Sequence, residues 1–212
     1  MDKSLQAVAE KRIERTVQAL RRRGFEAQYI ADRGELLAKV GEYVREGVSC
    51  SVGGSVTLFE TGVIDFIKAS GCTYLDRYAP GADVPAIMRE ALSCDVYLMS
   101  TNAVTEQGEL YNVDGNGNRV AALSFGPKKV LVIAGANKIV RDLDQARLRM
   151  KAVAAPANSV RLEIPNPCME TGMCMECSSP TKICNIEVVT RYQRAKDGRR
   201  ITVLILPESF GY

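Results

Sequence analysis

Hydrophobic positions in the first two thirds of the chain follow two spacings. At the N-terminus, Leu5, Val8, Ile13, Val17 and Leu20 recur at the spacing of an amphipathic helix. Short apolar runs then alternate with further helical patterns. The runs that predict strands are EAQYIA, VSCSV, CTYLD and DVYLMS, and the segments that predict helices are RGELLAKVGEYVREG, TGVIDFIKASG and DVPAIMREALSC. This alternation is typical of a mostly parallel sheet with helices on both faces.

The pattern changes after Ala103. The segments GELYNV and RVAALSF flank DGNGN, whose Asp-Gly and Asn-Gly pairs favour a β-hairpin turn. KKVLVIAG then predicts a buried strand, and DLDQARLRMKAVAAPAN predicts a helix that begins with an Asp142-x-x-Gln145 capping box. The apolar face of this helix consists of Leu143, Ala146, Met150 and Val153. IEVVTRY and RRITVLIL predict two final strands around an AKDGR turn.

These elements predict an α/β fold. We expect a mostly parallel sheet flanked by helices, with added antiparallel hairpins and a cysteine-rich excursion at residues 166–185. A length of 212 residues suits one domain spanning residues 1–212.

Charge and composition indicate which partners and which cell compartment to expect. The net charge is +3, and the basic clusters at 21–23 and 191–200 lack a recognisable nucleic-acid module, so we expect no nucleic-acid partner. No apolar run approaches the ~20 residues of a membrane span, and the charged N-terminus lacks the apolar core of a secretory signal. We therefore expect a cytoplasmic protein whose thiols stay reduced.

Four of the seven cysteines lie within the segment NPCMETGMCMECSSPTKICN. Cys168, Cys174, Cys177 and Cys184 form a Cys-x5-Cys-x2-Cys-x6-Cys pattern, whose central Cys-x2-Cys can direct two sulfurs at one inorganic centre. We predict that these four cysteines bind a metal or cluster. The three remaining cysteines, Cys50, Cys72 and Cys94, are interpreted as core residues.

Two inorganic groups suit four thiolates, a tetrahedral zinc ion and a [4Fe–4S] cluster. Structural zinc sites usually join two separated Cys-x2-Cys pairs, whereas this segment has one pair flanked by single cysteines. The surrounding Met169, Met173, Met175 and Ile183 would shield a cluster from solvent. The pattern favours a [4Fe–4S] cluster, with zinc as the alternative.

A glycine-containing loop follows one predicted strand. Gly53, Gly54 and Ser55 come directly after VSCSV, where the carboxyl ends of parallel strands place ligand sites. Backbone amides there can approach an anion, and Ser55 and Thr57 add hydroxyls. Lys138, just after KKVLVIAG, is the best-placed cation. We predict that these five residues bind a small anion, although a tight turn alone would also explain the glycines.

The chain contains no histidine, so acid–base or nucleophilic chemistry would fall to other side chains. Glu106 follows the strand DVYLMS and is the candidate catalytic carboxylate. Glu60, Asp65 and Glu109 lie close to the same loops.

Three stretches resemble the LUD domain, the lactate-utilization family. They are GGSVTLFETG, the long run from STNAVTEQGELYN to GANKIVRDLDQA, and the closing ITVLILPESFGY. The likeness covers nearly the full chain. The cysteine segment is similar to that of a subgroup with a TGxCxxC…SP…ICN pattern.

The resemblance implies a fold like that of ribose-phosphate isomerases, glucosamine-phosphate deaminases and CoA transferases, which bind anions at a glycine-rich loop. It places Glu106, within TEQG, where CoA transferases carry a glutamate nucleophile. It also implies participation in an iron–sulfur-containing lactate oxidation system. A redox partner subunit with iron–sulfur clusters and self-association into a homo-oligomer are both compatible with it.

Three functions follow as hypotheses. The first is an iron–sulfur component associated with oxidation of lactate or a related hydroxy acid. The second is a sugar-phosphate isomerase or CoA-transferase-like enzyme with a structural zinc site. The third is a non-enzymatic module that senses an anion.

Overall fold

The computed structural model describes residues 3–194 and 198–212. The described strands are β1 (Glu26–Tyr29), β2 (Ser49–Val52), β3 (Thr73–Leu75), β4 (Val96–Met99), β5 (Ala103–Thr105), β6 (Leu110–Asp114), β7 (Lys129–Gly135), β8 (Ile139–Val140), β9 (Ile186–Thr190) and β10 (Ile201–Leu206). The helices are α1 (Lys3–Arg22), α2 (Arg33–Gly41), α3 (Val56–Glu60), α4 (Val63–Ala69), α5 (Val84–Glu90), α6 (Asn118–Ser124), α7 (Leu143–Arg149), α8 (Ala155–Arg161) and α9 (Pro167–Thr171).

Six strands form the main sheet in the order β1-β10-β7-β4-β2-β3, and all their pairings are parallel. The predicted α/β fold is therefore confirmed. Successive residues of a strand point to opposite faces of the sheet. In β7, Val130 and Val132 accordingly pack with α1 and α6, whereas Leu131 and Ile133 pack with α2 and α4. Burial on both faces explains why this strand is an uninterrupted apolar run.

A second sheet has the order β8-β5-β6-β9 and includes antiparallel pairs. Helices α7 and α8 pack on it through Ala146, Met150, Ala154 and Ala155, which share a buried cluster with Tyr111 of β6. In the chain, β5 of this second sheet follows β4, and β8 follows β7. The second sheet therefore extends the main sheet at the carboxyl ends of β4 and β7.

The predicted hairpin strand RVAALSF is wrong, because these residues form α6. Gly117 has a φ of 82° directly before the helix, and an Asp114 carboxylate oxygen accepts a 3.0 Å hydrogen bond from the Val120 amide. Val120 and Leu123, three residues apart, are both buried. The Asp-Gly and Asn-Gly pairs thus precede a helix, and β6 pairs with β5 and β9 instead.

The two final strands do not pair with each other. Strand β9 joins β6 in the second sheet, whereas β10 lies between β1 and β7 in the main sheet. Part of the predicted AKDGR turn, residues 195–197, lies outside the described residues.

Two predicted helix faces are only partly correct. Ile13 and Val17 are buried in α1, but Val8 is 64% exposed, and the Leu5 side chain lies outside the description. A wider π-helical stretch, Met150–Ala154, joins α7 to α8. The extra residue in such a turn shifts the helical register, so Val153 is 44% exposed while Ala154 is buried.

Candidate anion site and cysteine cavity

Three neighbouring strands of the main sheet end beside one another. Lys138 follows β7, Ser100 follows β4, and Thr57 lies in α3 just after β2. The Lys138 ammonium donates hydrogen bonds to the Ser100 hydroxyl at 2.9 Å and to the Thr57 hydroxyl at 3.0 Å. The carboxyl edge of the sheet thus brings together one cation and two hydroxyls, as expected for open parallel sheets.

Lys138 is a buried cation without an ion-pair partner in the part of the chain that the structure describes. It is 3% exposed, and both of its hydrogen-bond acceptors are neutral hydroxyls. Burial, followed by the nearby charges of Arg149 and Arg119, lowers the pKa of Lys138 to about 7, with Glu60 opposing the shift. A buried charge in this state is stabilised by an incoming anion.

Lys138 opens onto a cavity of about 580 Å³, which we call the lysine cavity. Of the predicted anion-binding residues, Gly54, Ser55, Thr57 and Lys138 line it together. Ser55 also caps α3 by accepting a hydrogen bond from the Leu58 amide. The volume lies within the range of small-molecule sites in proteins.

Gly53 has a different position from the other loop residues. Its amide donates a 2.9 Å hydrogen bond to the Leu98 carbonyl and is therefore engaged within the sheet. A Cβ atom at this glycine would lie 3.0 Å from Cδ of Arg119. The glycine thus leaves room for Arg119 beside the cavity.

Arg119 is a cavity residue that the sequence reasoning missed, because its segment was assigned to a hairpin. Its guanidinium forms an ion pair with Asp114 at 2.6 Å and donates to the carbonyls of Ser100 and Val113. Arg119 lies at the start of α6 and lines the cavity. Its hydrogen bonds connect the end of β4 in the main sheet with β6 in the second sheet.

The C-terminal residues also reach this site. Thr57 donates to the Phe210 carbonyl at 3.2 Å, and the Gly211 amide donates to the Glu60 carboxylate at 2.6 Å. The Tyr212 hydroxyl lies 2.5 Å from Nε of Arg161, and both residues line the cavity. Tyr212, the last residue of the closing motif ESFGY, therefore forms part of the wall.

The candidate catalytic carboxylate lies elsewhere. Glu106 pairs with Arg12 of α1 at 2.7 Å and is not among the residues that line the lysine cavity. Glu109 is buried beside Arg23 and Arg191, and Asp65 is exposed on α4. Of the four carboxylates singled out in the sequence, Glu60 comes nearest, through its bond to Gly211.

Cys168, Cys174, Cys177 and Cys184 all line a second cavity of about 440 Å³, the cysteine cavity. All four are free thiols. Cys168 lies in α9 with its sulfur 3.3 Å from the Ser159 hydroxyl. Burial raises the pKa of Cys184, and the nearby charge of Lys182 opposes this rise.

The Cys-x2-Cys turn has two features of a thiolate ligand loop. Glu176 adopts a positive φ of 49°, and its amide hydrogen lies toward the Cys174 sulfur, with an N to S distance of 3.4 Å. Amide hydrogen bonds to sulfur stabilise thiolates and tune iron–sulfur clusters. Lys151, paired with Glu176, and Lys182 add positive charge to the cavity wall.

Within residues 3–194 and 198–212, no three His, Cys, Asp or Glu side chains lie close enough together to hold a metal ion. The four thiols therefore share a cavity without forming a closed single-ion site.

The two cavities share a wall. Residues that line both of them are Val113, Met150, Ala155, Lys182, Ile183 and Asn185. The last three lie beside Cys184 in the chain. A ligand in the lysine cavity and a group held by the cysteines would therefore be neighbours.

The three remaining cysteines lie in or beside the core of the main sheet. Cys50 and Cys94 are buried, and Cys72 is partly buried with its sulfur 3.2 Å from that of Cys50. Burial raises the pKa of Cys50 strongly and that of Cys94 to about 12. Thiols with such raised pKa values are poor nucleophiles.

Within the described residues, no helix combines the length and apolar character that a bilayer span requires.

The chain is similar to a known protein family and to solved structures. The family model of the LUD domain matches residues 13–206. A crystal structure of a DUF162 family protein from Deinococcus radiodurans superposes with a TM-score of 0.52 at 15% identity, covering 95% of this chain and 98% of that chain. At this identity the likeness shows the fold alone. No curated protein matches the chain.

A second solved structure, eIF2B delta from Chaetomium thermophilum, is similar over 55% of this chain and 51% of its own. Its identity is 16% and its TM-score is 0.35, so this likeness is too weak to show a shared fold.

Proposed function

Because the chain belongs to the LUD domain family, we propose that it binds a small organic acid in the lysine cavity and a [4Fe–4S] cluster in the cysteine cavity. In this proposal it is an iron–sulfur component associated with the oxidation of lactate or a related hydroxy acid. The observation that carries the proposal is the wall shared by the two cavities.

The anion-binding part rests on Lys138. Its charge is buried between two neutral hydroxyls, and the described residues offer it no carboxylate partner. A substrate carboxylate bound there would offset the cost of the buried charge and receive hydrogen bonds from the ammonium. Gly54 and Ser55 line the same cavity and would complete the cradle.

The cluster-binding part rests on four free thiols around one cavity, on the amide bond to the Cys174 sulfur, and on the cations at Lys151 and Lys182. Residues Cys168, Cys174, Cys177 and Cys184 would hold the cluster. When bound, a [4Fe–4S] cluster accepts and donates single electrons at a potential set by its hydrogen bonds and exposure.

Oxidation of a hydroxy acid to a keto acid releases two electrons and two protons. A cluster that accepts single electrons cannot take up both, so the proposal assigns the two electrons to a redox partner subunit and the two protons to solvent. The chain itself would bind and orient the acid next to the electron acceptor. The Met173 and Met175 side chains are 59% and 54% exposed, so they do not enclose the cysteine segment as predicted, and its outer side is accessible to such a partner.

The alternative of acyl transfer through Glu106 receives less support. A nucleophilic carboxylate must reach its substrate, but Glu106 is paired with Arg12 and lies outside the lysine cavity. Zinc at the cysteines remains the alternative metal and is decided by metal analysis.

An experiment on the anaerobically isolated protein tests the coupling of the two sites. The electron paramagnetic resonance spectrum of the reduced protein is recorded with and without L-lactate. We expect an iron–sulfur signal that changes on addition of the acid, and the change should be lost in a Lys138→Met variant. A signal indifferent to any hydroxy acid would contradict the coupling.

A further inference from the structure

The cations around the lysine cavity outnumber the acids. Asp114 is the acidic side chain on its wall, and it is already paired with Arg119. Arg77, Arg161 and Lys182 line the same cavity. Within the described residues none of these three forms an ion pair, so the cavity carries positive charge well beyond Lys138.

Arg77 and Arg161 form a second cationic group beside two tyrosines. The Arg77 guanidinium carbon lies 5.7 Å from the centre of the Tyr78 ring. Arg161 donates to the Tyr212 hydroxyl and to Oδ1 of Asn158. Both arginines line the lysine cavity together with Tyr78 and Tyr212.

The two arginines contact other residues than Lys138 does. The Lys138 ammonium donates to the Thr57 and Ser100 hydroxyls, whereas Arg161 lies beside Asn158 and Tyr212 and Arg77 lies beside Tyr78. The cavity therefore offers positive charge to an anionic group at more than one place on its wall.

We infer that the ligand of the lysine cavity carries two acidic groups, one bound by Lys138 and Ser100 and the other by Arg77 and Arg161. The inference rests on the proposed anion site and names its ligand class, an organic acid with a second carboxylate or a phosphate. A volume of about 580 Å³ accommodates such a ligand, whereas a three-carbon monocarboxylate at Lys138 would leave the arginines without a partner. Planar guanidinium groups suit bidentate recognition of either acid.

Calorimetric titration of the wild-type protein with three probes tests the inference. They are L-lactate, which has one carboxylate, L-malate, which has two, and 3-phosphoglycerate, which has a carboxylate and a phosphate. We expect at least one of the latter two to bind about tenfold more tightly than lactate or better. Tighter binding of malate assigns a dicarboxylate, and tighter binding of 3-phosphoglycerate assigns a phosphorylated acid. Equal or weaker binding of both would overturn the inference.

Variants at the arginines locate the second group. In the Arg77→Met, Arg161→Met double variant, the affinity for the preferred dianion should fall to about that for lactate, a larger fold loss than lactate itself shows. The Arg77→Lys, Arg161→Lys pair keeps both charges and should recover part of the loss. Arg141→Met, at a side chain 84% exposed outside the cavity, is the matched control. An equal loss for lactate and the dianion would contradict the assignment.

The outcomes separate this inference from the proposed function. If lactate binds in a Lys138-dependent way and the dianions bind no more tightly, only the inference fails. If the Lys138→Met variant binds every probe as the wild type does, or if no probe binds, the proposed anion site fails with it.

Discussion

A Cβ atom added to Gly53 would lie 3.0 Å from Cδ of Arg119, closer than ordinary van der Waals contact. The Tyr97 hydroxyl would be 3.3 Å away on the same side. Arg119 is held by Asp114 and by two backbone carbonyls, so it has little freedom to retreat. The missing side chain of Gly53 is therefore a packing requirement of the cavity wall.

The Gly53→Ala variant should accordingly lose stability. Crowding of Arg119 should lower the free energy of unfolding by about 1–3 kcal/mol, the usual cost of overpacking. Gly54→Ala is the matched control, because a Cβ there meets Arg77 only at 3.9 Å. Urea unfolding of both variants checks this, and equal stabilities would refute the packing role.

Anion affinity should depend on pH through Lys138. The ammonium, with a pKa of about 7, loses its proton as the pH rises. Affinity should therefore fall above pH 7 by up to about tenfold per pH unit, because the neutral amine no longer attracts the anion. Titrations from pH 6 to 9 measure this.

Lys138→Met should bind the anion weakly at every pH and show no such slope. Lys128→Met removes an exposed lysine just before β7, outside the lysine cavity, and should behave as the wild type. An identical pH profile in Lys138→Met would exclude the lysine as the titrating group.

Protein stability without ligand should show the opposite trend. Below about pH 7 Lys138 is protonated in both the folded and the unfolded chain, and its burial cost is fully present. Between about pH 7 and the ordinary lysine pKa of 10.5, the unfolded chain binds a proton that the folded protein has released. This group therefore makes the free energy of unfolding rise with pH, by roughly 1.4 kcal/mol per unit at most.

The measurement is the stability difference between the wild type and Lys138→Met at pH 6.5 and pH 9. The free energy of unfolding of the wild type, minus that of the variant, should rise by a few kcal/mol from pH 6.5 to pH 9. A constant difference would show that the lysine pKa is unshifted.

Cluster binding should depend on the segment cysteines and not on the core cysteines. Cys174→Ser removes a proposed ligand from the Cys-x2-Cys turn and should lower bound iron by more than half. Cys72→Ser, next to Cys50 in the main sheet, is the control and should retain wild-type iron. Equal iron content in the two variants would argue against the assignment.

Much of the fold was predictable because its signals are local. The uninterrupted apolar run of β7 and the capping Asp142 are such signals, and the Asp142 carboxylate accepts from the Gln145 amide as predicted. The insertion of β10 between β1 and β7 has no local signal, because it pairs residues that are distant in the chain.

The site was predictable in part for the same reason. Lys138 and Thr57 come a few residues after the ends of buried strands, so the topology of a parallel sheet brings them together. Arg119 was missed because Asp-Gly and Asn-Gly favour hairpins, yet here Gly117 leads into a helix. Glu106 also follows a strand end, but its pairing with Arg12 depends on where α1 packs, which local pattern does not reveal.

Iron and acid-labile sulfide analysis of anaerobically purified protein, together with its visible absorbance, tests the central claim most directly. The account predicts four iron and four sulfide per chain and a brown protein with broad visible absorbance. A colourless protein that contains one zinc per chain, or no metal at all, would contradict it.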